Sequence, residues 1–148
     1  MTAHVVTGAA DAQGHPWLGQ SRSTFVEFLV DLSARNLSSA GYASGDTIKL
    51  MALPAGSMVT NVHLNVVTVE GAAATVSVGD SGSATRFHSA VSINSVALTA
   101  SADLIQLYTA ADYILLTLGG TMSGTGVAKF SVAFQLTDVS NRQQFSPL

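Results

Sequence analysis

The stretch MVTNVHLNVVTVE, residues 58–70, decides the fold class. Its central residues alternate between apolar and polar side chains, which is the period of a β-strand with one buried and one wet face. One face carries Val62, Leu64 and Val66, and the other carries Asn61, His63 and Asn65. The stretch therefore predicts a long antiparallel strand.

Similar alternation recurs on both sides of this stretch. Further strands are predicted at 25–32, 46–53, 75–78, 113–118 and 127–139, with weaker ones at about 86–93 and 104–109. Residues 25–32 also fit a short helix, but no amphipathic helix longer than two turns is visible. Seven or eight short strands joined by glycine-rich turns predict a single all-β domain, an antiparallel β-sandwich or jelly roll.

Three segments organise the chain. Residues 1–23 have no sustained period and are punctuated by glycine and proline, so they are predicted to form an extended N-terminal arm. Residues 24–139 form the β-sandwich domain, and residues 140–148 form a short polar C-terminal tail. The arm nevertheless carries large apolar side chains: Val5, Val6, Trp17 and Leu18. Trp17, the single tryptophan, packs either on its own domain or on a partner, because tryptophan is enriched at interface hot spots.

The composition points to an assembly. Charged residues make up 10% of the 148 residues, against about 25% in an ordinary soluble domain. A surface with so few charges favours a homo-oligomer, in which other protein covers part of each copy. The chain has no cysteine, which excludes disulfides and thiolate chemistry and fits synthesis in a reducing cytoplasm.

Two classes of partner are not expected. The net charge is −3 and the six basic residues are scattered singly, whereas nucleic-acid binding takes a clustered basic footprint. The longest aliphatic run, 114–118, stops at Gly119, far short of the roughly 20 residues of a membrane-spanning helix. The N-terminal residues lack the basic and apolar regions of a signal peptide. We therefore expect neither nucleic acid nor membrane as a partner.

The sharpest enzyme-like motif is Gly79-Asp80-Ser81-Gly82, which resembles the nucleophile loop of trypsin-like serine proteases. That family continues with a second glycine where this chain has Ser83, and its catalysis needs a histidine held by a buried carboxylate. We interpret the motif as a turn between two strands. Asp80, Asp103, Asp112 and Asp138 all lie near predicted strand ends, where aspartate satisfies turn amides.

The histidines show no spacing typical of a metal site. They are His4, His15, His63 and His88, without the close pairs that zinc sites use. Any metal site would have to be built entirely by the fold or across subunits; copies meeting on a threefold axis, for example, would form a ring of His63 side chains. The sequence thus predicts no catalytic residue, no cofactor and no metal, and we expect a protein that is not an enzyme.

Two stretches resemble a known group. Residues 45–56 run from Gly45-Asp46-Thr47 through Leu53-Pro54-Ala55-Gly56 into the long strand and then into residues 70–80; residues 108–120 follow later. Over residues 45–137 this order resembles small structural proteins that tailed bacteriophages encode near their head genes. The chain is also similar in size and strand content to capsid cement (decoration) proteins.

The resemblance implies a virion protein, commonly trimeric, that sits on the surface of the expanded head and stabilises the capsid lattice after DNA packaging. It implies the major capsid protein as partner, a homo-oligomer with a trimer as the leading state, and synthesis in the host bacterial cytoplasm. The arm residues Val5, Val6, His15, Trp17 and Leu18 are the predicted capsid contacts. The alternative is a head-fibre, tail or receptor-binding virion component.

Overall fold

The structure is a computed structural model that describes residues 23–32, 43–101, 105–121 and 128–138 of the chain. In these ranges nine strands form: β1 (Ser23–Asp31), β2 (Thr47–Leu53), β3 (Ser57–Thr68), β4 (Ala74–Gly79), β5 (His88–Ser92), β6 (Ala97–Ala100), β7 (Gln106–Leu107), β8 (Asp112–Gly120) and β9 (Lys129–Asp138). No helix long and apolar enough to cross a membrane occurs in them.

The strands form two antiparallel sheets. One sheet has the order β1-β9-β3-β6, with β7 also paired to β3, and the other has the order β2-β8-β4-β5. The chain crosses from one sheet to the other at every connection except those between β4 and β5 and between β6 and β7. This order is that of a jelly roll, the arrangement in which two Greek keys form opposed sheets. It confirms the all-β prediction and places the edge strands β1 and β2 on one side of the sandwich.

The core lies between the sheets. The inward residues of β3 and β9, including Val62, Leu64, Phe130 and Phe134, are fully buried. The buried residues of β8 face them from the opposite sheet and join the same cluster; they are Ile114, Leu116 and Leu118. Strands β3 and β9 therefore pack mainly through every second residue, as the sequence alternation predicts.

One irregularity in β3 adjusts this alternation. The register between β3 and β9 shifts between Thr60 and Val62, and Asn61 has a positive φ of 49°. A bulge inserts one extra residue into a strand, so Val59 and Val62, three positions apart, are both buried. The bulge keeps the N-terminal part of β3 in phase with the core.

The predicted strands are confirmed, with two differences. Residues 25–31 lie in a strand, so the helical alternative is wrong. Strand β6 is not among the predicted strands, because Ala97–Ala100 has small residues without apolar–polar alternation. The predicted arm and C-terminal tail lie outside the described residues except for Ser23 at the start of β1.

Candidate interaction surface

The outer face of the five-stranded sheet exposes large apolar side chains. Phe25 and Leu29 of β1 are each 71% exposed, and Leu98 of β6 is 70% exposed. In β1 these exposed residues are out of phase with the buried Val30, and Leu98 pairs with Asn65 on the outer side of β3. Because alternate residues of a strand point to opposite faces, they all lie on the outside of the sheet. We call this surface, which also includes the exposed Leu107 of β7, the apolar face.

The apolar face has a polar floor between two apolar rims. Leu29 of β1 lies opposite Ser131 of β9, which lies opposite Asn65 of β3, which lies opposite Leu98 of β6. Four strands at about 4.8 Å spacing put the two leucines roughly 14 Å apart. Small or polar side chains therefore form a floor between two rims that carry exposed leucines, a shape suited to contact with another protein. The β1 rim also carries the exposed Glu27.

The outer face of the four-stranded sheet is different. In the described part of this face, the one large apolar side chain that is exposed is Tyr113, at 43%. The Lys49 ammonium lies 4.3 Å from the centre of its ring, in a cation–π contact that covers the ring. Thr47, Thr75 and Ser77 lie on the strands of the same sheet. We call this outer face the polar face; the apolar face differs from it in exposing several large apolar side chains, with Glu27 also exposed among them.

The Gly-Asp-Ser-Gly motif forms a turn, as the sequence predicts. Asp80 Oδ1 accepts hydrogen bonds from the backbone N–H groups of Gly82 at 3.0 Å and Ser83 at 2.8 Å. The Asp80 N–H donates to the Ser83 carbonyl at 2.9 Å. Asp80 therefore holds its own loop closed in the manner of an Asx turn.

The second carboxylate oxygen of Asp80 joins the two sheets. Asp80 Oδ2 accepts a hydrogen bond from the Tyr108 hydroxyl at 2.7 Å and one from Arg86 Nε. Arg86 Nη1 also donates to Gln106 Oε1 at 3.1 Å. Gln106 belongs to β7 of the five-stranded sheet, whereas Asp80 follows β4 of the other sheet. The cluster of Asp80, Arg86 and Tyr108 is therefore a clamp between the sheets, and we call it the inter-sheet clamp.

The electrostatics of the inter-sheet clamp follow from burial and hydrogen bonding. Burial alone would raise the pKa of the Asp80 carboxyl, but the hydrogen bonds from Arg86 and Tyr108 outweigh it and lower that pKa below 3.8. Burial and the bond to Asp80 raise the pKa of Tyr108 above 10.0. Asp80 is thus held as a carboxylate and Tyr108 as a neutral donor.

The two histidines in the described residues occupy different places. His88 is buried, and its Nε2 donates to the Val62 carbonyl across the sheets at 3.0 Å. Burial lowers the pKa of His88 below 6.5 and the nearby charge of His63 adds to this, while the Val62 bond opposes it. His63 lies half-buried on the β3 part of the apolar face. No cluster of three or more His, Asp or Glu side chains in the described ranges is placed to hold a metal.

The predicted contact residues Val5, Val6, His15, Trp17 and Leu18 lie outside the described residues. The apolar face was not found by sequence reasoning. A signal for it exists in β1, where Phe25 and Leu29 occupy the polar phase of an alternating strand. The inter-sheet clamp was missed as well, because Asp80 and Tyr108 are 28 residues apart and nothing local pairs them.

Comparisons with known proteins give structural likeness only. No protein-family model and no curated protein sequence matches the chain. A chain from the cyanophage Pam1 capsid asymmetric unit aligns with a TM-score of 0.58 at 19% identity, over 91% of this chain and 96% of that one.

Two further chains align comparably. One comes from the capsid of Ralstonia phage GP4, with a TM-score of 0.60 at 16% identity over 79% of this chain and 84% of that one. The other comes from the acid-stable capsid of Helicobacter pylori bacteriophage KHP30, with a TM-score of 0.56 at 19% identity over 78% and 86%. At these identities the likeness shows a shared fold.

Proposed function

We propose that this protein is a phage capsid cement (decoration) protein. It binds the outer surface of the expanded head as a homo-oligomer, with a trimer as the leading state, and stabilises the capsid lattice. The observation that carries the proposal is the fold, shared over most of the chain with chains from three phage capsid structures. The partner is the major capsid protein, and the location is the virion surface after synthesis in the host cytoplasm.

The unequal outer faces support an oriented role. A cement protein needs one surface that meets the shell and one that meets water, and the apolar and polar faces supply both. Burying the apolar side chains of one face removes them from water, which favours association. The rigid sandwich beneath them, held by the inter-sheet clamp, keeps that surface in one shape. This function requires no catalytic group, cofactor or metal.

The N-terminal arm is the second element of the proposal. Residues 1–23 span up to roughly 75 Å when extended, which is long enough to reach a neighbouring capsid subunit. Ordering such a segment costs conformational entropy, which anchors must offset. The apolar anchors are Val5, Val6, Trp17 and Leu18, and His15 is the polar residue among the predicted contacts.

Co-sedimentation with expanded, undecorated heads of the parent phage tests the proposal. Copies bound per head are counted by quantitative densitometry across a concentration series. Saturable binding at a number matching local symmetry positions supports a cement protein. Absence of binding, with the protein recovered in tail fractions, would overturn it in favour of the head-fibre, tail or receptor-binding alternative.

A deletion of residues 2–20 tests the arm. We expect the core to keep its thermal transition, because the nine described strands begin at Ser23, and we expect head binding to be lost. Full-length protein with Thr47→Ser, an exposed position outside the arm, is the control. Unchanged binding of the deleted protein would remove the arm from the proposal and leave the apolar face as the contact.

A further inference from the structure

Strand β1 is an unusually regular edge. It pairs with β9 residue for residue from Ser23 to Asp31 without a register shift. In the part of the chain that the structure describes, nothing pairs with its other side. Natural proteins usually keep edges short, bulged, or guarded by proline or by charged side chains, especially lysine. β1 has nine residues without lysine or proline, and its charged residues are Glu27 and Asp31.

The other edges are protected in these ways. β6 has four residues and β7 has two. β5 has five residues, and its pairing with β4 shifts register. β2 is longer, but its pairing with β8 shifts between Lys49 and Met51. Among the described edge strands, β1 is therefore the longest one that pairs without a register shift, so its free backbone groups are the best placed to pair with another strand.

The side chains beside this edge favour an apolar strand. A groove of about 170 Å³ separates β1 from β2 and is lined by residues 28–31 and 48–50. Val26 and Phe28, on the inner face of β1, are only partly buried. Phe25 and Leu29, on the outer face of β1, are exposed. An added strand would cover both sets, since alternate residues of a strand point to opposite faces.

β1 itself has the pattern that this edge selects. In antiparallel pairing, residues directly opposite each other lie on the same face, so inner residues must oppose inner residues. Setting Phe28 opposite Phe28 of a second copy places Val26 opposite Val30, both apolar inner residues. On the outer side it places Glu27 opposite Leu29 and Phe25 opposite Asp31.

The neighbouring registers place less compatible side chains opposite each other. Centring the pair on Glu27 sets two carboxylates directly opposite each other, and centring it on Leu29 sets Glu27 opposite Asp31, which like-charge repulsion disfavours. Centring it on Val26 sets the exposed hydroxyl residue Thr24 opposite Phe28. Among these four registers, the one centred on Phe28 combines apolar inner pairs with separated carboxylates.

We infer that β1 is a self-pairing edge: β1 of one copy joins β1 of a second copy in antiparallel register about a twofold axis at Phe28. The two five-stranded sheets then continue into each other. This contact goes beyond the proposed capsid binding and stands whether or not a capsid is the partner. In a trimeric cement protein it links one trimer to the next, because a twofold contact cannot close a ring of three.

Single cysteines test the register, since the chain has none of its own. Glu27→Cys and Leu29→Cys variants, both at exposed positions, are mixed at high concentration and oxidised mildly. The register puts position 27 of one copy opposite position 29 of another, within about 5.5 Å between Cα atoms, whereas like positions lie beyond the roughly 7 Å limit of a disulfide. We expect a disulfide dimer in the mixture, many times more abundant than in either variant alone.

Val96→Cys, at a position that is 70% exposed and outside β1, replaces either partner as the matched control. Circular dichroism confirms that each variant is folded. A mixture that forms no more dimer than this control overturns the inference, and so does a Glu27→Cys sample that cross-links by itself. Cross-linking that appears only after residues 2–20 are deleted would also overturn it, because the chain's own N-terminal segment then covers the edge. None of these readouts depends on head binding.

Discussion

At the scale of single residues, the sandwich is joined by a few polar contacts rather than by apolar packing alone. Besides the inter-sheet clamp, buried Glu70 accepts a hydrogen bond from the Ala128 N–H at 2.9 Å. A buried carboxylate is tolerated only where hydrogen bonds replace its water. Asp80 and Glu70 therefore fix the relative position of strands that are distant in sequence.

Removing the Tyr108 hydroxyl should weaken the inter-sheet clamp. Tyr108→Phe deletes the 2.7 Å bond to Asp80 and leaves a buried carboxylate with one donor fewer, which costs about 1–3 kcal/mol. For a domain of this size that lowers Tm by about 2–4 °C per kcal/mol. Tyr113→Phe, at an exposed ring, is the control in thermal unfolding. Equal Tm values for the two variants would contradict the role of Tyr108.

His88 should make stability depend on pH. Its pKa is lower in the folded protein than the ordinary 6.5, mainly because of burial, so the folded state binds the proton less readily than the unfolded state. The stabilisation is complete above pH 6.5 and is lost as pH falls through the folded pKa. Asp80, with a pKa lowered from 3.8, adds a second loss at more acidic pH.

His88→Gln keeps a donor for the Val62 carbonyl without a titrating ring. We expect its Tm to be flat just below pH 6.5, where the wild-type Tm declines, and to fall with the wild type only in the more acidic range. Tm measured in small pH steps checks this. A decline of the same size in both proteins would assign the pH effect to other groups.

At the scale of elements, turns determine where strands end. Gly120 closes β8 with a positive φ of 73°, and a Cβ there would lie 2.1 Å from the Ala73 carbonyl oxygen. That oxygen also accepts the N–H of Thr121 at 3.0 Å. The turn before β4 and the end of β8 are thus in backbone contact, which leaves no room for a side chain.

A matched pair of glycines separates backbone strain from crowding. Gly71 has a similar φ of 78° but open space around its Cα, so Gly71→Ala should cost only the left-handed penalty of about 1–2 kcal/mol. Gly120→Ala adds a backbone clash and should cost about 1–3 kcal/mol more. Chemical denaturation of both variants measures the difference. A Gly120→Ala variant no less stable than Gly71→Ala would show that the turn relaxes freely.

Strand identity could be predicted from the sequence more fully than strand pairing. Alternation located β3 and β9 and their buried residues, since period 2 depends on local geometry. The bulge at Asn61 and the register of β1 on β9 depend on contacts between segments that are distant in the chain, which no local pattern encodes. The apolar face was missed for the same reason: Leu29 and Leu98 form rims of one surface only once Ser131 and Asn65 lie between them.

At the scale of the whole molecule, the two outer faces differ in what they can contact. We expect Leu98→Lys, on a rim of the apolar face, to reduce binding to expanded heads, since a charge would have to be desolvated in the contact. Thr47→Lys, exposed on the opposite sheet, should bind as the wild type does. Copies per head at fixed concentration measure both. Normal binding by Leu98→Lys would remove this rim from the contact, and a loss confined to Thr47→Lys would assign the contact to the polar face instead.

The two faces also set how the sequence can change over time. A residue on the polar outer face contacts only its own domain and water, so many substitutions there leave the fold and its contacts intact. Under the proposed function, a residue on the apolar face also contacts the capsid, whose sequence must change with it. Lineages of this protein should therefore drift faster at positions such as Thr47 and Ser77 than at Phe25 or Leu98, and the boundary between fast and slow positions should follow the edges of the sandwich.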